Sequence, residues 1–176
     1  MAKFVYSDPH FYSEAIISHG KRPFKNAAEM NNALIENYNS VVGKQDICYW
    51  LGDVMYGATK ERVSAVLRQL HGRKFLILGN HDRGHSVTWW ESCGFEKVFN
   101  HPIYDAEQYI MLSHEPLEEF GNFAPIVNIH GHIHIQDYDF PIHDRCINVS
   151  VEKTNYRPVS LNNPLLSPSM RRQFER

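Results

Sequence analysis

The chain has 176 residues, a formal net charge of -2, 43% apolar residues and 22% charged residues. This is the composition of one soluble globular domain with room for a sizeable core. The charge gives no general attraction to nucleic acid. No apolar run reaches membrane-spanning length, and Asp8 interrupts the N-terminus too early for a secretory signal, so a cytoplasmic protein is expected. Cys48, Cys93 and Cys146 are odd in number and widely spaced, which excludes a disulfide framework or zinc ribbon and predicts buried thiols.

Lys3 to Ser7 reads as a short buried strand, and Phe11 to Asn26 as a loop containing Arg22-Pro23-Phe24. A helix fits Ala28 to Val42, where Met30, Leu34, Tyr38 and Val41 recur at steps of three or four, with Gly43 as the stop. Ile47 to Leu51 is a second strand. Lys60 to Leu70 is a second helix, with Val63, Val66, Leu67 and Leu70 on one face, Thr59 as its cap and Glu61 at its positive end. Lys74 to Leu78 is a third strand. This alternation predicts a parallel sheet with crossover helices. After a short helix over Val87 to Cys93 come strand-like stretches at Phe95–Tyr104, Gln108–Leu112, Ile126–His130 and Cys146–Val149. They predict a second, partly antiparallel sheet, making an α/β fold in one domain over residues 1–176. Asn162-Asn163-Pro164 and Ser167-Pro168 mark 161–176 as a C-terminal surface segment.

Five short motifs sit at the ends of apolar runs: Asp8-Pro9-His10, Gly52-Asp53, Gly79-Asn80-His81-Asp82, Ser113-His114 and Gly131-His132-Ile133-His134. In open α/β sheets the carboxyl ends of strands line the binding crevice, so all five can converge there. Glycine before Asp53, Asn80 and His132 permits sharp turns and close approach. Together the motifs offer two Asp, one Asn and four His as metal ligands: Asp8, His10, Asp53, Asn80, His114, His132 and His134. That is enough for two adjacent divalent cations, with Asp53, alone in its motif, as the bridge. Mixed imidazole and carboxylate suit Mn, Fe or Zn, with Mn favoured for assays. Two such ions bring four positive charges, of which two carboxylates cancel two. The surplus attracts an anionic substrate and lowers the pKa of a bound water from about 15.7 toward about 7, making a hydroxide nucleophile. His81, not needed as a ligand, is placed to protonate a leaving alcohol.

The motifs, in this order, resemble those of the calcineurin-like metallophosphoesterase superfamily, over Asp8 to His134. Arg22-Pro23-Phe24, Leu51-Gly52-Asp53 and the segment from Asn148 to Leu161 further resemble its small bacterial and phage-type branch. The resemblance implies a four-layer α/β/β/α sandwich of two mixed sheets flanked by helices. It implies one ion on Asp8, His10, Asp53 and His134 and another on Asp53, Asn80, His114 and His132. His81 matches the catalytic histidine and Asp82 its acidic neighbour, read here as an outer support, a cap of the next segment, or both. Two positions depart from the pattern. Tyr56 stands where many members have a second Asp that orients the catalytic His, and Ser13 where near relatives often have a His.

Three functions follow in order. The first is a metal-dependent hydrolase of phosphate mono- or diesters, phosphatase or phosphodiesterase, acting on a small phosphate ester or nucleotide. The second is a nuclease on DNA or RNA, for which only Arg171, Arg172 and Arg176 speak. The third is a non-catalytic scaffold of the same fold, which the retention of His81 and every ligand opposes. Asn80 and His81 are read as substrate-facing. Arg22 is read either as a phosphate contact or as a surface charge beside a turn proline. His130 is assigned to the core or to outer support, and Trp50, Trp89 and Trp90 to packing.

Overall fold

Phe4 and Tyr6 of the first strand face one way and Val5 the other, and this alternation organises the layers. A computed structural model describes residues 1–119, 126–135, 144–163 and 166. In chain order the elements are β1 (Lys3–Tyr6), α1 (Ala15–His19), α2 (Ala27–Asn39), β2 (Ile47–Trp50), α3 (Lys60–Leu67), β3 (Arg73–Ile77), α4 (Val87–Cys93) and β4 (Lys97–Phe99). Then come β5 (Ile103–Asp105), β6 (Ile110–Leu112), β7 (Val127–His130), β8 (Cys146–Asn148), a 3-10 turn (Val151–Lys153) and β9 (Val159–Ser160).

The strands form two mixed sheets, ordered β4-β3-β2-β1-β9 and β5-β6-β7-β8. In the first, β1 to β4 are parallel and β9 runs antiparallel against β1. In the second, β5 is antiparallel to β6, while β6, β7 and β8 are parallel. Tyr6, Cys48, Trp50, Leu76 and Val98 face the helices, meeting Met30 and Leu34 of α2, Val63 and Val66 of α3 and Trp90 of α4. Val5, Leu51 and Ile77 face the other sheet, meeting Ile110, Leu112, Val127 and Ile129. Each such side chain, fully buried, contributes about 1.5–3 kcal/mol. The architecture is that of two mixed sheets flanked by helices. No helix among the described residues is long and apolar enough to cross a membrane.

Local signals account for most boundaries. The side chains of Asn26, Thr59 and Ser86 accept from the backbone N–H three residues on, capping α2, α3 and α4. Four expectations are corrected. The stretch 95–104 is two strands, not one: β4 extends the first sheet and β5 begins the second, with Asn100-His101-Pro102 between them. The loop 11–26 contains α1. Because α2 ends at Asn39, Val42 rather than Val41 is buried. Leu161 and Leu166, expected at the surface, pack between the sheets, while 164–165 and 167–176, with Arg171, Arg172 and Arg176, lie outside the described residues. Cys48 and Cys93 are buried and Cys146 is half-buried.

Candidate metal centre

Asp8, Asp53, Asn80, His114 and His132 stand two or three residues beyond the ends of β1, β2, β3, β6 and β7, so both sheets deliver them to one crevice. The loops are stitched together. Asp8 N–H donates to Gly52 O (3.1 Å), His10 N–H to Asp53 O (3.0 Å) and Gly131 N–H to His114 O (2.9 Å). A Cβ on Gly131 would collide with Ser7 Oγ and Asp8 Oδ2, and one on Gly79 with the Asp53 carboxylate. These glycines let the motifs touch.

The backbone is held in an unfavourable conformation at five of the seven candidate ligand positions. Asp8, His10, Asp53, His132 and His134 have φ of 57°, 49°, 56°, 69° and 48°. Left-handed backbone at a residue with a Cβ costs about 1–3 kcal/mol each and persists only where surroundings enforce it. Here the enforcement includes His132 N–H donating to both Asp8 oxygens (3.1 and 3.0 Å) and Ser150 Oγ donating to Asp8 Oδ2 (3.0 Å).

Two groups of ligand atoms result, each within 4.8 Å: Asp8, His10 and His134, and Asp53, His114 and His132. Asp53 lies between them. Its Oδ2 is 3.4 Å from His10 Nε2 and its Oδ1 is 3.5 Å from His114 Nε2. Asn80 Oδ1 joins the second group, 2.8 Å from His114 Nε2 and 3.0 Å from His132 Nδ1.

The donor set fits divalent cations on two observations. His10 Nε2 is buried without a hydrogen-bond partner among the described residues. His114 Nδ1 meets Leu51 O at 2.7 Å, and its Nε2 lies 2.8 Å from Asn80 Oδ1 and 3.1 Å from His132 Nδ1, so three candidate ligand atoms converge on one point that a cation would share. Burial first, then the neighbouring His134 and Arg22 charges, push His10 well below the usual imidazole range, and burial with His114 lowers His132. Both shifts favour the neutral form of the ring, the form able to ligate. Burial, then Asp8, holds Asp53 above the usual carboxylate range against the pull of His114.

Asp82 is fully buried and touches the centre from behind. Its carboxylate accepts from the N–H groups of Asp53 (2.7 Å), Gly79 (2.9 Å) and Val54 (3.0 Å), while burial and the Asp53 charge push it up to about 7. It holds the Asp53 turn against the Gly79 turn and is a support, not a group at the crevice surface. His81 differs: its ring is 62% exposed, with Nε2 4.0 Å from Asp53 Oδ2, and its N–H donates to Asp53 Oδ1 (3.0 Å). His130 is buried, its Nδ1 2.9 Å from Gly131 O. Tyr56, in place of the expected second Asp, is 67% exposed.

Arg22 is corrected. Its side chain is fully buried, and its donors reach Pro9 O, Asp8 O, Met30 Sδ and Glu152, leaving none for a phosphate. The sequence reading missed Glu152, whose Oε1 is 3.0 Å from His134 Nδ1. Its signal was available: an acidic residue directly after Val149-Ser150-Val151, four positions past the end of β8, as the motifs lie past theirs.

The model of the calcineurin-like phosphoesterase family matches residues 4–167. An uncharacterized protein of Methanocaldococcus jannaschii is 38% identical over 165 residues, covering 90% of this chain and 86% of that one. The gene 66 protein of Mycobacterium phage D29 is 46% identical over 56 residues, 31% of this chain and 28% of the phage protein. The crystal structure of a protein of unknown function from Aquifex aeolicus superposes with a TM-score of 0.68 at 26% identity, over 90% of this chain and 95% of that one.

Proposed function

Since this chain belongs to the calcineurin-like phosphoesterase family, we propose that it hydrolyses a small phosphate ester or nucleotide at a centre of two divalent ions, manganese serving in assays. The observation that carries this reading is the position of Asp53, whose two oxygens face different ligand groups. One ion would lie among Asp8, His10, Asp53 and His134, the other among Asp53, Asn80, His114 and His132. Ions bound there supply a water acidic enough to act as nucleophile and neutralise charge building on the phosphoryl oxygens.

The chain's own residues do the rest. Asp8 and Asp53 reduce the positive charge of the centre, leaving it attractive to an anion. His10 and His134 tilt against one another, ring centroids 5.1 Å apart, forming one wall. His81 lies at the solvent side, where its Nε2 can give a proton to the leaving oxygen as that oxygen gains charge. Asp82 fixes the backbone from which both Asp53 and His81 project. A small substrate is favoured over DNA or RNA because the net charge is -2.

The test is turnover of an aryl phosphodiester and an aryl phosphomonoester by manganese-loaded protein. Hydrolysis of either, abolished by chelator and restored by Mn, is expected. No turnover of either ester by protein holding two Mn per chain sinks the proposal.

A further inference from the structure

Glu152 approaches the centre from outside every motif. It sits in the 3-10 turn after β8, with its side chain 3% exposed. One of its oxygens, Oε1, meets His134 Nδ1 at 3.0 Å and Arg22 at 2.9 Å (Nε) and 2.7 Å (Nη2). Arg22 continues the connection: Nη2 donates to Asp8 O (2.8 Å) and Nη1 to Pro9 O (2.7 Å). We infer that Glu152, clamped by Arg22, is a positioning carboxylate that aims Nε2 of His134 at the ion shared with Asp8 and His10. The inference rests on the metal-centre reading above and goes beyond it by giving the two halves of the centre different supports.

The chemistry of the ring sets the argument. A neutral imidazole carries its proton on one nitrogen, and a carboxylate at Nδ1 keeps the proton there, leaving a lone pair at Nε2. That nitrogen is the one turned toward Asp8, 3.8 Å from Oδ1. The same carboxylate fixes the ring orientation and raises its basicity as a ligand.

Packing alone does not explain the pair. A buried Arg–Glu pair is expensive to desolvate and seldom more stabilising than apolar residues of the same volume. Here Glu152 Oε1 also meets His134, and Arg22 turns one donor from each terminal nitrogen on a carbonyl of a ligand-bearing loop. The two carbonyls held by Arg22 belong to the Asp8-Pro9-His10 loop, where φ is 57° at Asp8 and 49° at His10. The guanidinium therefore secures backbone that would otherwise relax. Gly20 leaves the room: a Cβ there would lie 2.8 Å from Glu152 Oε1 and 3.4 Å from Arg22 Cγ. Through one ion pair, segments at 8–10, 22, 134 and 152 act on a single ligand group. Asp53, His114 and His132 are supported by other contacts, Leu51 O and Asp82 among them.

The experiment is calorimetric titration of metal-free wild type, E152A and E152Q with manganese chloride, with thermal unfolding of each metal-free protein. Wild type is expected to bind two ions. E152A is expected to lose about 10–100-fold in affinity for one ion, the other unchanged. E152Q, whose amide oxygen still accepts from His134 Nδ1, is expected to fall between. Wild-type affinities for both ions in either variant overturn the inference. So does an equal loss at both ions accompanied by a lower melting temperature, the mark of a merely structural residue. Should E152A not fold, E152Q decides by the same criteria. Wild type that binds no manganese overturns the metal-centre reading itself.

Discussion

Asp53 presents Oδ2 to His10 at 3.4 Å and Oδ1 to His114 at 3.5 Å, so one carboxylate meets a histidine that follows a strand of the first sheet and a histidine that follows a strand of the second. The Asp53→Asn variant replaces one of these oxygens by an amide nitrogen that cannot ligate. Manganese bound per chain, measured by equilibrium dialysis, is expected to fall, and turnover to fall with it. Full metal content and full turnover in D53N contradict the bridging role.

His81 touches the centre without belonging to either ligand group. His81→Ala is expected to keep both ions while the rate drops about 10²–10⁴-fold, the range for loss of a general acid. Parallel metal analysis and initial rates separate the outcomes. A His81→Ala protein that loses manganese makes His81 a ligand, and one that keeps its rate removes it from the chemistry.

Much of this was legible in the amino-acid sequence, and the reason is local. Thr59 caps α3 and the bounds of α4 are those read from Val87 to Cys93, because caps and periodicity act over a few residues. The residues of the two candidate ligand groups were legible because each follows a strand end. Residues whose role depends on distant partners were not. Arg22 was placed correctly near Asp8, but nothing in Arg22-Pro23-Phe24 reveals that Glu152, 130 positions away, draws the guanidinium beneath the loop. The stretch 95–104 reads as one strand in the sequence, because the transfer of the chain from one sheet to the other at Asn100-His101-Pro102 is a tertiary event.

Gly131 is packed so closely on Ser7 and Asp8 that a single methyl displaces a ligand. Gly131→Ala should therefore destabilise the protein by about 1–3 kcal/mol, as overpacking does, and weaken manganese binding. Thermal unfolding with and without metal measures both. A variant with unchanged melting temperature and metal affinity shows that the Asp8 loop yields without consequence.

Asp82 gives a pH signature in the metal-free protein. Its folded pKa, pushed up to about 7 by burial and by Asp53, lies above the ordinary carboxylate value. A raised pKa favours the fold in full below the unfolded value and loses that contribution as pH rises through the folded one. Metal-free wild type should therefore lose stability relative to Asp82→Asn between about pH 4 and pH 7. Comparing the two melting temperatures across this range cancels the groups they share. A difference that stays constant, or moves the other way, shows that the three N–H donors keep Asp82 ionised throughout.

The most direct test is anomalous scattering from crystals of the wild-type protein soaked in manganese. The account predicts two peaks, one on each side of the Asp53 carboxylate, the first among Asp8, His10 and His134 and the second among Asn80, His114 and His132. A single peak, or peaks remote from Asp53, would contradict it.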